Sequence, residues 1–135
     1  MKQKVLLALR LLYAVFLIGT GIMTLRLQFS PPEWPESAAG AFLRAAGATG
    51  YLIGWVGIFK TLTGVLMLIP RTEKLAYLMA LPYAVNILLW VTFVAHEWLL
   101  IGILDFLVSV TLIVMHFDSY RCLLSRPLPI HVPKS

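Results

Sequence analysis

Four apolar stretches, residues 5–25, 51–70, 75–95 and 98–117, dominate the chain, and each contains at most one charged residue. Those charges are Arg10, Lys60 and Asp105, with none in the third stretch. Each stretch is about 20 residues long, so at a rise of ~1.5 Å per residue a helix of that length matches a hydrocarbon core of ~30 Å. Strands are excluded because the stretches do not alternate. In lipid only a helix satisfies its own backbone over such a run. The rest of the composition agrees: 60% of residues are hydrophobic and 13% charged, against about 25% charged in soluble domains. A chain of this kind is an integral membrane protein. Disordered, coiled-coil and nucleic-acid-binding classes are set aside. The first stretch follows Met1-Lys2-Gln3-Lys4, as a signal peptide would. It exceeds a signal core of roughly 7–15 residues and no small-x-small cleavage site follows, so it reads as a retained span.

The connections set the expected topology. Lys2, Lys4, Arg71, Lys74, Arg121, Arg126 and Lys134 fall on one side, Arg26 and Arg44 on the other. This excess places both termini in the cytoplasm. The Arg71-Thr72-Glu73-Lys74 and His96-Glu97 connections are short, which makes their flanking spans antiparallel neighbours. The expected fold is all-α: one domain over residues 1–126, a four-helix bundle running up-down-up-down. In the first outer connection, Ser30-Pro31-Pro32-Glu33-Trp34-Pro35 cannot be helix interior. Ser37 can cap a short helix over 38–46 lying at the outer interface. The Pro-rich tail, residues 127–135, is expected to be disordered.

Charges within spans are costly and mark sites by default. Helical spacing gathers them into stripes. The first span aligns Arg10, Tyr13, Ala14, Leu17, Gly21 and Thr24. The second aligns Ile53, Gly57, Lys60, Gly64 and Met67, with Thr63 at the margin. The third aligns Met79, Pro82, Tyr83, Asn86, Trp90 and Phe93, and the fourth Trp98, Gly102, Asp105, Ser109 and His116. Each of these faces is expected to turn inward. Lys60, Asn86 and Asp105 lie at similar depth, so a Lys60–Asp105 pair beside Asn86 is plausible. Arg10 points to cytoplasmic headgroups or toward His116. The pair can serve only to fix helix register. Alternatively, the two cations and one anion leave a positive charge unmatched, so that Lys60 is neutral, Arg10 reaches water, or an anionic ligand completes the set. The candidate ligand-binding residues are Lys60, Asn86, Trp90, Asp105, Arg10, Ser109 and Tyr83, around a small amphiphile such as a quinone or a lipid.

Other chemistry lacks its residues. The single cysteine, Cys122, excludes an intrachain disulfide and a CxxC relay. His96 and His116 sit at opposite membrane faces, unsuited to bis-histidine haem, and no metal set, Gly-rich nucleotide loop, nucleophile elbow or HExxH occurs. No intrinsic cofactor and no self-contained catalysis are expected.

Three segments carry a resemblance. They are Leu9-Arg10-Leu11-Leu12 with Gly19-Thr20-Gly21; Phe42-Leu43 with Ala46-Gly47 ahead of Gly50-Tyr51-Leu52; and Gly57-Ile58-Phe59-Lys60-Thr61-Leu62-Thr63-Gly64 ending at Pro70-Arg71. In order and spacing they resemble the DoxX and DoxX-like family of four-span bacterial membrane proteins, from about Leu6 to Leu124. The sequence departs from that pattern at Lys60, where many relatives have glutamate, and near Thr24, where they have lysine. The resemblance implies a four-helix bundle of the bacterial inner (cell) membrane, similar to the small subunit of a thiosulfate:quinone oxidoreductase. It implies a non-catalytic accessory or anchor protein with a soluble or membrane-bound redox partner, and Lys60 and Asp105 facing a quinone-like ligand. Membrane lipids and a second copy of the chain are the other expected partners; nucleic acid is not one. The alternatives are a small transporter or permeation protein for an anionic or amphiphilic solute, a membrane enzyme acting on a lipid or quinone, and a membrane-protein assembly factor.

Overall fold

The computed structural model describes residues 2–125, with side chains over 3–121. The tail over 127–135, with Arg126 and Lys134 of the charge count, lies outside the described residues. The described chain is helical, without strands: α1 (Lys2–Phe29), α2 (Ala38–Ala48), α3 (Leu52–Leu68), α4 (Glu73–Phe93), a single 3-10 turn (His96–Trp98), α5 (Leu99–Met115) and α6 (Phe117–Ser125).

Three helical segments, Gln3–Phe29, Glu73–Phe93 and His96–Met115, are long and apolar enough to cross a membrane. The second expected span is shorter than its sequence suggests. Helix α3 has 17 residues, about 25 Å, and ends before Pro70. It counts as a fourth crossing only when joined to α2, across a bend of 93°. The bend has a local cause. Gly50 adopts φ +78°, where a Cβ is disfavoured, and Thr49 serves both helix ends. Its hydroxyl donates to Ala46 O at 2.6 Å and accepts from Leu52 N at 3.1 Å. From the end of α1, Gln28 locks the elbow, donating to Gly50 O at 3.1 Å and accepting from Gly54 N at 3.0 Å. Ser37 caps α2 by accepting from Gly40 N at 3.1 Å.

Small residues bring α1 and α3 together along their length. A Cβ on Gly57 would stand 2.9 Å from Leu25 N and 3.0 Å from Gly21 O; one on Gly64 would stand 2.8 Å from Ala14 O. Such backbone proximity is how helices associate where hydrophobic driving force is absent. The contacts run from Gln28 with Gly54, through Gly21 with Gly57 and Ala14 with Gly64, to Arg10 with Glu73 just beyond α3. Numbers fall on α1 as they rise on α3, so the two are antiparallel. Helices α4 and α5 are paired likewise: Gly102 faces Val91, His116 packs its ring on Tyr77 at 5.1 Å, and Tyr120 donates to Lys74 O at 2.7 Å. Helix α4 also packs on α3. A core of Tyr13, Ala14, Leu17, Met67, Ala76, Tyr77, Ala80 and Leu112 joins all four helices.

The expected stripes on α1, α3 and α5 are the faces that pack inward. Ile53, Gly57, Lys60, Thr63, Gly64 and Met67 are all buried; so are Tyr13, Ala14, Leu17 and Gly21, and Gly102, Asp105 and Ser109. Trp98 is the exception on the last face, exposed in the 3-10 turn that precedes α5. The stripe expected on α4 is corrected. Its buried residues are Ala76, Tyr77, Ala80, Ala84 and Val91, while Pro82, Asn86 and Phe93 are exposed. Three alanines allow a closer approach than a face carrying Pro82 and Asn86, so close packing rather than polarity orients this helix.

Candidate functional site

Asp105 and Ser109, one turn apart on α5, meet Tyr13 from α1. The Tyr13 hydroxyl donates to Asp105 Oδ1 at 2.7 Å and lies 2.6 Å from Ser109 Oγ. Because the Tyr13 proton goes to the carboxylate, Ser109 must be the donor in the second bond. All three side chains are buried, with Ser109 1% exposed.

Lys60 approaches from α3 and is 8% exposed. No ion pair joins it to Asp105, although the two are near enough to interact electrostatically. Its ammonium instead lies 4.6 Å from the ring centre of Tyr83 and 5.6 Å from that of Phe16. Aromatic faces attract a desolvated cation by ~2 kcal/mol or more, which makes this a stable place for a lysine without a directly bound carboxylate.

Phe16 also lines an open groove between α1 and α5, with a volume of about 260 Å³. Leu9, Leu12, Ile101, Leu104 and Val108 supply the apolar walls, and Tyr13 and Asp105 are the only polar residues lining it.

Arg10 lies on the side of His116, one of the two directions expected, but its partner is another residue. It forms an ion pair with Glu73, the first residue of α4, and the two side chains are 14% and 15% exposed. Gln3, Tyr77 and His116 share with them a cavity of about 160 Å³, so Arg10 is near His116 without bonding to it. The His116 Nδ1 lies 2.8 Å from Leu112 O. Nearby on α6, burial raises the Tyr120 phenol above its ordinary pKa. Glu73 therefore removes the unmatched positive charge on which an anionic ligand was argued. It was missed because it sits at a turn; its place in the first turn of a helix near the depth of Arg10 was the available signal.

Of the expected ligand set, the structure gathers Lys60 with Tyr83, and Asp105 with Ser109. Asn86 is exposed on the opposite face of α4 and takes no part. Trp90 is half-buried; its ring packs 6.2 Å from Phe42 of α2 and its indole N–H has no partner. Arg10 belongs to the separate cluster with Glu73. Tyr13 and Phe16, absent from the expected set, are central. Tyr13 stood on the inward stripe of the first span, and a buried tyrosine hydroxyl needs a partner. Among the described residues no group of three His, Cys, Asp or Glu side chains is arranged to hold a metal. No family model, curated protein or solved structure shows significant similarity to the chain.

Proposed function

We propose that the chain is an up-down-up-down four-helix membrane protein that holds a small amphiphile, a quinone or a lipid, in the groove between α1 and α5. It acts as a non-catalytic accessory protein, in the manner of the DoxX-like proteins its segments resemble, beside a redox partner. In this reading α2 lies at the outer interface, α3 crosses beside α1, and both termini face the cytoplasm of a bacterial inner membrane.

The observation that carries the reading is the groove itself. It opens between two apolar helices, where in this reading acyl or isoprenoid chains are the surrounding solvent, and its exposed lining is almost wholly apolar, with the Tyr13–Asp105 pair buried in its wall. Small-molecule sites are lined predominantly by hydrophobic and aromatic side chains. The pairing of α1 with α3 over its full length supports a crossing by α3, since a helix that turned back midway would meet only half of α1.

The test is native mass spectrometry of the purified chain released from gentle detergent. A co-purifying amphiphile is expected, and Leu104→Trp, which fills the groove, is expected to remove it. An unaltered chain that carries no amphiphile, or a filled groove that keeps one, rejects the reading.

A further inference from the structure

The bundle carries a second cavity, independent of the α1–α5 groove. At the α2–α3 elbow an open cleft of about 320 Å³ lies between the end of α1, the 30–35 connection, α2 and the start of α3. Its walls are mainly apolar, with Leu27, Pro31, Pro32, Trp34 and Ile53 among them. Arg44 of α2 is the only charged side chain lining it, and that residue is exposed. The chain itself holds the cleft in shape. Arg44 Nη1 donates to Trp34 O at 3.1 Å and to Pro35 O at 3.2 Å. A Cβ on Gly40 would collide with Pro35 O, so the connection lies directly on α2. Pro31, Pro32 and Pro35 each fix φ, which stiffens that wall further. A site already ordered loses little entropy when a ligand enters.

Charge and donors decide what fits. A guanidinium has five N–H donors; those on Arg44 Nε and Nη2 find no acceptor among the described residues, and no carboxylate there pairs with it. The Gln28 amide, also in the lining, is occupied at both ends by Gly50 O and Gly54 N. No acidic side chain lines the cleft. A cation would meet Arg44 unopposed, and an inorganic anion would leave the apolar walls uncovered. We infer that this cleft binds a small organic anion, a carboxylate, sulfonate or phosphate ester on a compact apolar body. The anionic group pairs with Arg44 and the body lies against Leu27 and Trp34. A volume of about 320 Å³ is at the small end of ligand pockets, which start at about 300 Å³. In the proposed topology the cleft opens outward, where an acidic lipid head and a soluble organic acid both carry this chemistry.

The test compares naphthalene-2-sulfonate with its neutral isostere naphthalene-2-sulfonamide, by equilibrium dialysis against the full-length protein in phosphatidylcholine nanodiscs, with empty nanodiscs subtracted. The sulfonate is expected to bind about tenfold more tightly, the size of one hydrogen-bonded charge contact. Arg44→Gln, which keeps an amide donor for the connection, should erase most of that preference. Ala48→Trp fills the cleft from α2 and Leu27→Trp fills it from α1; either should abolish binding, so the point does not depend on one variant folding. Equal binding of the two probes, a preference unchanged in Arg44→Gln, or sulfonate binding that survives both filled variants overturns the inference. Loss of sulfonate binding in Leu104→Trp also overturns it, by moving the site to the α1–α5 groove. Retention there leaves the two sites separate, and neither result bears on whether that groove holds an amphiphile. Displacement of the sulfonate by dihexanoyl phosphatidylglycerol supports a lipid head as the occupant, and displacement by benzoate alone supports a soluble acid. Displacement by neither overturns the inference.

Discussion

At the residue scale, two polar clusters divide the work of stabilising an otherwise apolar bundle. Tyr13 ties α1 to α5 through two hydrogen bonds. Helix contacts between these two are otherwise sparse because the groove separates them. Interhelical hydrogen bonds in membranes contribute about 0.6 kcal/mol on average and at most ~1.7. Tyr13→Phe keeps the ring and removes both bonds, so a loss of about 1–2 kcal/mol is expected as a lowered unfolding midpoint in detergent; an unchanged midpoint would deny the hydroxyl this role. The Arg10–Glu73 pair behaves differently, because removing one partner leaves a largely buried charge. Glu73→Gln is expected to cost about 3 kcal/mol, toward the low end for breaking a buried pair because both side chains keep some exposure. Replacing both, Arg10→Met with Glu73→Leu, should recover most of that loss. Chemical unfolding of the single and double variants checks the order: a double variant as unstable as Glu73→Gln contradicts the account.

At the scale of elements, the α1–α3 contact is the most specific, since backbone meets backbone at Gly57 and Gly64. Gly64→Leu must push Ala14 and Ile18 away, and overpacking of this kind costs about 1–3 kcal/mol or more. Gly19, also on α1, has nothing within 4 Å of an added Cβ, so Gly19→Ala should leave stability unchanged or slightly raised. Comparing the two variants by thermal unfolding separates a packing effect from a general intolerance of glycine replacement. The same contact explains which faces could be read from the sequence. On α1, α3 and α5 the polar and the small residues share one stripe, so either criterion finds the buried face. On α4 they part: Ala76, Ala80 and Ala84 define one face, while Pro82 and Asn86 lie on another. Polarity selected the wrong one, and Asn86 entered the candidate site for that reason. The expectation for Asn86→Leu is accordingly unaltered amphiphile retention in native mass spectrometry; loss of the ligand would return Asn86 to the site. Partner choice was less legible than burial. That Lys60 meets two aromatic rings rather than Asp105, and that Tyr13 bridges α1 to α5, depends on helix rotations that spacing along one helix does not fix.

At the scale of the whole molecule, the antiparallel pairings sort the basic residues by end. Contact between Arg10 and Glu73 brings the start of α1 to the turn that carries Arg71 and Lys74, and the Tyr120 bond to Lys74 O brings α6 to the same place. Lys4, Arg71, Lys74 and Arg121 therefore gather at one end, while Arg26 and Arg44 lie toward the end held by Gln28 and the α2–α3 elbow. The excess of lysine and arginine belongs on the cytoplasmic side, and the proposed topology accordingly turns the elbow and α2 outward. The bent α2–α3 pair is where this topology is most exposed to test. Were α3 to re-enter and leave on the side it came from, Lys74 would share a compartment with the 30–37 connection. With Cys122→Ser as background, Glu36→Cys and Lys74→Cys place single thiols at exposed positions on the two sides. In intact bacterial cells expressing each variant, a membrane-impermeant maleimide is expected to label position 36 directly and position 74 only after the membrane is opened. Equal labelling of both in intact cells would mean that α3 does not cross, and the groove between α1 and α5 would then have to be understood in a bundle of three spanning helices.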